Sequence, residues 1–254
     1  MAEHRFHTPD PVELELNVPV GEIEVETIDG DESVVTVEGS EKMLELTEVT
    51  FDGRRLVVEL RGKKAFGITI SIGDLSFGSG GRLRVHARVP HGSQAALVTA
   101  SADKKLRGRV RSLESKSASG DLVVRGEIER DATVKTVSGD VILERVGGDF
   151  RFTSVSGDVI ARWVGGSVEG KTVSGDARIE STREGGVTMQ SVSGDIEVGV
   201  EAGTSLDVDA GSVSGDLSSE VPLGSEPGSA DGDGPTLVVR GKTVSGDFRV
   251  FRAS

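Results

Sequence analysis

One five-residue phrase recurs seven times in this chain. It reads Ser-Ala-Ser-Gly-Asp at 117–121, then Thr/Ser-Val-Ser-Gly-Asp at 136–140, 154–158, 172–176, 191–195, 212–216 and 243–247. Successive Asp residues lie 19, 18, 18, 19, 21 and 31 positions apart. A period that constant marks a stacked, quasi-one-dimensional fold in which each repeat buries its apolar face against its neighbours. The residue after each Asp (Leu122, Val141, Val159, Ala177, Ile196, Leu217, Phe248) forms an apolar column. The residue before each Ser (Ala118, then valine from Val137 to Val244) forms another, and both read as inward-facing. Glycine pairs at Gly147-Gly148, Gly165-Gly166 and Gly185-Gly186 supply a second turn, so each coil holds two or more short strands. Ser101-Ala102-Asp103 reads as a degenerate first copy. The solenoid is therefore expected over 92–254, as about eight coils of roughly 18–21 residues each.

Residues 1–91 read as a β-strand-rich cap region. Apolar residues alternate with period two at Val12/Leu14/Leu16/Val18, Leu44/Leu46, Leu56/Val58/Leu60, Ile68/Ile70/Ile72 and Leu83/Val85/Ala87/Val89. Such alternation is the pattern of half-buried strands. Asp52-Gly53 between two of these runs is the best hairpin signal. The first eleven residues, with Pro9 and Pro11, read as a polar lead with little regular structure. At the far end, Val221–Pro235 is rich in Gly, Pro, Ser and Asp and reads as an acidic loop between coils. Phe248, Val250 and Phe251 are then expected to plug the open end. No segment sustains a helical period. The expected class is all-β, a single-stranded β-helix.

Composition limits the function classes. A net charge of −13 opposes binding to nucleic acid or an anionic membrane by simple attraction. With no cysteine, thiolate catalysis and thiolate metal sites are excluded. The first residues lack an apolar signal-peptide core. No apolar run approaches the length of roughly 18 residues that a membrane-spanning helix needs. The expectation is a soluble, cytoplasmic protein without direct membrane insertion.

The Asp column (Asp121, Asp140, Asp158, Asp176, Asp195, Asp216, Asp247) is the most conspicuous charged feature. At coil spacing each neighbouring pair repels by about 1 kcal/mol in bulk water and roughly 3.5 kcal/mol at an effective dielectric of 20. The column must therefore be solvated, hydrogen-bonded to turn amides, or bridged by cations such as calcium. Ser-Gly-Asp is sound turn chemistry, which favours the turn-forming reading and implies no cofactor. Lys116, Lys135, Lys171 and Lys242 each stand five positions before an Asp and read as solvated. Gly165–Thr172 matches the P-loop pattern letter for letter, yet runs straight into another repeat where a P-loop needs a helix. All four His lie at or before residue 91, so none can activate a solenoid serine. Asp149, Glu144, Glu180 and Glu184 break the repeat without clustering, and the lone Trp163 reads as covering a coil face.

Phe6–Val12 (Phe-His-Thr-Pro-Asp-Pro-Val), Val89-Pro90-His91-Gly92 and the seven Ser-Gly-Asp coils together resemble the putative-adhesin, toast-rack-like family of bacterial domains of unknown function. The resemblance implies a right-handed single-stranded β-helix with an N-terminal β-cap. The spacings themselves leave handedness open, since a coil of about 18 residues also suits a left-handed hexapeptide helix. The resemblance further implies a link to envelope-stress sensing or adhesion. The expected function is a non-enzymatic interaction module presenting an exposed Ser/Thr column (Thr136, Thr172 and Thr243 among them) and the Asp column to a protein partner. Envelope-stress membrane proteins are the candidate partners. Self-association through the solenoid ends is a second expectation. The alternatives are an extracellular adhesin-like or glycan-acting protein and a calcium-stabilised assembly.

Overall fold

A computed structural model describes residues 1–61, 82–221 and 235–253. The elements in chain order are β1 (Ala2–His7), β2 (Glu13–Asn17), β3 (Val20–Ile28), β4 (Glu32–Glu38), α1 (Glu41–Leu46), β5 (Thr47–Phe51), β6 (Arg55–Leu60), β7 (Leu83–Pro90), β8 (Gln94–Val98), β9 (Ser101–Val110), β10 (Ser112–Lys116) and β11 (Leu122–Ile128). There follow β12 (Ala132–Lys135), β13 (Val141–Val146), β14 (Phe150–Thr153), β15 (Val159–Ala161), β16 (Val168–Lys171), β17 (Ala177–Thr182), β18 (Gly185–Gln190), β19 (Ile196–Val200), β20 (Ser205–Ser212), β21 (Leu217–Ser219), β22 (Thr236–Thr243) and β23 (Phe248–Arg252). They form two sheets, of 12 and 11 strands, and each coil contributes one strand to each. The all-β reading and the solenoid are both correct. Between the sheets lies one continuous core of Val, Leu, Ile and Ala, with Phe150, Phe152 and Phe248 as its large rings.

The parallel stacking reaches back to Glu13. β2 pairs with β8 and β6, and β3 pairs with β9 and β7, all in parallel, so residues 13–28 form a coil in register with the repeats. Beyond it, β4 and β5 pair antiparallel with β7 and β6, and β1 adds antiparallel to β4. Phe6 and Phe51 meet at 5.3 Å between ring centroids and help close that end. The polar lead is therefore a strand, because Ala2, His4 and Phe6 alternate with exposed residues as a β-strand requires. The Asp52-Gly53 hairpin is present as β5–β6. Leu44 and Leu46 lie in a short helix, α1, and not in a strand. Met43 and Leu44 pack on the core, and Thr47 caps the helix by donating to the Met43 carbonyl. The strand expected around Ile68–Ile72, and all but the ends of the 221–235 loop, lie outside the described residues.

The stack is not threaded in sequence order. β22 lies between β18 and β20, and β23 lies between β19 and β21. The last coil in the sequence is thus the penultimate coil in space. Packing explains the order. Leu237, Val239, Phe248 and Val250 of the inserted coil are buried, and Gly241 leaves the space that the Phe248 ring fills. The coil at the open end is thinner, with Leu217 53% exposed. Phe248 and Val250 consequently do not plug the end; they are interior core.

Among the described residues one core position is charged. Lys104 stands directly after Asp103, in the column filled by Leu122 in the next coil, and is 1% exposed. Its Nζ donates to Gly120 O at 3.1 Å, Ala102 O at 3.2 Å and Thr99 Oγ1 at 3.3 Å. Burial lowers its pKa to about 8, against the opposing pull of the Asp103 and Asp121 carboxylates. The unfolded chain, with an ordinary lysine near about 10.4, then binds more protons between those two values. The contribution of Lys104 to stability should rise with pH from about 8 to about 10.4 and be flat below 8, where it is protonated in both states. Lys104→Met should abolish that slope and stabilise the protein by about 1–3 kcal/mol at pH 7. Urea melts at pH 7 and pH 10 measure both effects, and an unchanged slope in the variant would refute the assignment.

Candidate functional site: the Ser-Gly-Asp edge

The phrase forms the corner where one sheet passes into the other, and each of its positions has a distinct task. The first residue points inward. Thr136, Ser154, Thr172, Ser191 and Thr243 are 1–7% exposed. Their hydroxyls bond the corner glycine three positions on, as Thr172 Oγ1 does by donating to Gly175 O at 2.8 Å and Ser191 Oγ by accepting the Gly194 N–H at 2.8 Å. The expected exposed Ser/Thr column therefore does not exist. A corner has to satisfy buried polar groups of its own, and a hydroxyl does this where a methyl cannot.

The second residue points outward, which reverses the expectation for the valines. Val137, Val155, Val173, Val192 and Val244 are 40–49% exposed, and Val213 on the end coil is 80% exposed. The carbonyls of Val137, Val155, Val173, Val192 and Val244 each accept the amide and the hydroxyl of the Ser in the next coil. Ser156 N and Oγ, for example, lie 2.8 and 3.2 Å from Val137 O. The glycine then crosses close to the glycine of the coil before it, for a Cβ on Gly157 would lie 2.1 Å from Gly139 O.

The aspartates are exposed and joined into a ladder. Each carboxylate Oδ1 accepts the backbone N–H of the Asp in the next coil, over 2.8–3.1 Å, in the order 103, 121, 140, 158, 176, 195, 247, 216. A hydrogen bond to a charged acceptor contributes about 1.5–3 kcal/mol, enough to offset the roughly 1 kcal/mol by which exposed, solvent-screened neighbours repel. The column thus meets its electrostatic cost through turn amides. Asp216 ends the ladder, and among the described residues no amide reaches its carboxylate. A shorter ladder runs along the opposite corner, where Asp131 and Asp149 accept the amides of Asp149 and Ser167.

The P-loop-like stretch is absorbed by the coil. Val168–Lys171 is strand β16, and Gly170 leaves room for the Phe152 ring, from which a Cβ would be only 2.3 Å. Trp163 is half-buried, with its indole N–H on Glu201 at 2.9 Å and the Arg145 guanidinium 3.7 Å from its ring centroid. Among the described residues no group of three or more His, Asp or Glu is placed to hold a metal, and no helix is long and apolar enough to cross a membrane.

This two-sheet stack with its Ser-Gly-Asp corner runs the length of a known family pattern: the model of the family described as Toastrack DUF4097 matches residues 13–250. The chain belongs to that family. Like other folds built by repetition, this Toastrack chain shares architecture with proteins of little sequence identity. The crystal structure of a putative lipid binding protein from Parabacteroides distasonis superposes with a TM-score of 0.58 at 15% identity, covering 98% of this chain and 96% of that one. A putative adhesin from Bacteroides fragilis covers the same shares at 13% identity with a TM-score of 0.49. No curated protein matches the sequence.

The sheet faces and the Toastrack corner differ in how far their groups are already engaged. Sheet faces are laced by cross-strand ion pairs: Glu22 with Arg84 and Lys105 at 3.2 and 2.9 Å, Glu24 with Arg107 at 2.7 Å, and Glu127 with Arg145 at 3.3 Å. Hydrogen bonds from Lys105 and then Arg84 hold the Glu22 carboxyl below its ordinary value despite partial burial. The corner instead carries bare valine. Neither the outward valines nor Lys104 was drawn from the sequence. For Lys104 the signal existed, since extending the post-Asp column back one coil from Leu122 lands on it.

Proposed function

We propose that this protein is a non-enzymatic interaction module and that its contact surface is the valine-bearing corner of the Ser-Gly-Asp coils. The observation that carries the reading is the ridge of six outward valines. It amounts to roughly 400 Å² of apolar surface, and patches of that size on a monomer are commonly functional. The corner's hydrogen bonds engage only the valine backbone, which leaves the outer faces of these side chains open to a partner. The family resemblance supports a role in envelope-stress sensing.

The test is a photo-crosslinking residue placed in cells at Val173 on the ridge, or at Arg130 near the opposite corner, followed by fractionation. The reading expects adducts from position 173 and none from position 130. Equal adducts from both positions, or none from either, would sink it. Recovery of the protein at the outer cell surface would assign the adhesin-like role instead.

A further inference from the structure

We propose that the ridge docks a second copy of this chain, side by side, with the two-fold axis parallel to the solenoid axis. This rests on the ridge being an interaction surface, and names its occupant. The argument starts from what flanks the valines. On one side, at the last outward position of the strand before the corner, successive coils place Lys116, Lys135, Thr153, Lys171, Gln190, Lys242 and Gly211 in register. That column holds no acid, and every member but glycine can donate a hydrogen bond from its side chain. On the other side runs the Asp ladder. Going round the corner, the order is therefore donor column, valine ridge, serine column, acid column.

Three parallel stripes of positive, apolar and negative character are complementary to themselves in only one sense. Rotation about an axis along the stripes brings ridge to ridge and sets each donor column against the partner's acid column. Lys135 then faces the partner copy's acid at the same level, and so do Lys171 and Lys242. Thr153 and Gln190 supply neutral donors at the levels between. Rotation about an axis across the stripes would instead set lysines against lysines and aspartates against aspartates. Like charges in direct opposition penalise that arrangement, so charge fixes the parallel sense. Both coils at the open end keep the same stripe order, because β22 and β20 stack in the same register as the rest.

The ridge from Val137 to Val213 spans five coil steps, about 24 Å. With its flanks it can bury on the order of 500 Å² per copy, below the roughly 800 Å² of a standard interface. The dimer should accordingly be weak and reversible, in the micromolar range, and weaken with salt as its rim pairs are screened.

A chain with no cysteine makes the geometry directly testable. In a parallel dimer every ridge position lies opposite itself across the axis. Val137→Cys and Val244→Cys, made singly, should each give a disulfide-linked dimer on mild oxidation. In an antiparallel dimer these off-centre positions lie far from their own copies and would not close. Sedimentation velocity of the purified protein should show concentration-dependent dimer, and Val155→Ser/Val173→Ser should weaken it at least tenfold with the melting temperature little changed. A monomer at high micromolar concentration would overturn the proposal. So would a dimer without off-centre disulfides, or one that survives the double substitution. If the purified protein is monomeric while Val173 still crosslinks a different protein in cells, self-docking fails and the interaction-module reading stands. If neither occurs, both fail.

Discussion

Gly157→Ala is expected to lower the free energy of unfolding by about 3–5 kcal/mol, while Gly211→Ala should change it by less than about 0.5 kcal/mol. Both glycines sit in regular coils, and the difference is what a methyl group would meet. At Gly157 the Cβ would lie 2.1 Å from Gly139 O, 2.7 Å from its carbonyl carbon and 3.2 Å from its nitrogen. All three atoms are backbone held in the corner ladder, so no rotamer change relieves the overlap. The coils must separate locally, which lengthens the Ser156 and Asp158 bonds on either side. At Gly211 nothing lies within 4 Å. Because a solenoid's stability is a sum of nearest-neighbour contributions, the damage should be local first. Hydrogen exchange should show loss of protection at the 139 and 157 corners before the N-terminal coils respond. Equal urea midpoints for the two variants would disprove the close approach.

The second expectation is all-or-none and concerns the threading of the open end. Ser193→Cys paired with Ser245→Cys should close into a disulfide almost completely under mild oxidation. Ser193→Cys paired with Ser214→Cys should not close at all. Ser245 N lies 3.0 Å from Val192 O, and Ser214 N lies 2.9 Å from Val244 O, so 245 is one coil from 193 and 214 is two. Neighbouring coils place like positions about 4.8 Å apart, inside the disulfide window, and two coils place them about 9.6 Å apart, outside it. Stacking in sequence order would give the opposite pair of results. Mass spectrometry of the intact oxidised chain, before and after reduction, reads the outcome.

The repeat carried the architecture into plain view. Period, strand alternation and the glycine turns together required a two-sheet stack, and the Asp52-Gly53 hairpin stood where its residues put it. Which way the corner residues face was harder to see. In a straight strand Thr, Val and Ser would alternate in and out; at the corner two outward residues follow one another before glycine turns in. Thr136 and Val137 are also both β-branched and similar in size, so only the need of a buried Gly139 amide for a hydroxyl tells them apart. The order of the last coils was hidden for a different reason. Copies this alike offer each other the same ladder bonds, so local chemistry does not prescribe which stacks on which. The lengthened interval between Asp216 and Asp247, followed by Phe248, was the trace of a coil that goes back inside.

That return has a consequence for how the molecule is made. From Ser112 to Val200 the coils can be laid down as they leave the ribosome, each one templated by its predecessor. The coil at 201–220 cannot take its final place at that moment, for the surface it would meet belongs to residues that are still untranslated. It must wait, or stack provisionally on β18 and β19 and then yield. Completion of this end therefore waits for residues 236–252 and depends on long-range closure, which is intrinsically slower than growth by addition. Until it occurs, the nascent chain presents an unfinished sheet edge, and the segment from Thr236 onward acts as the wedge that locks it.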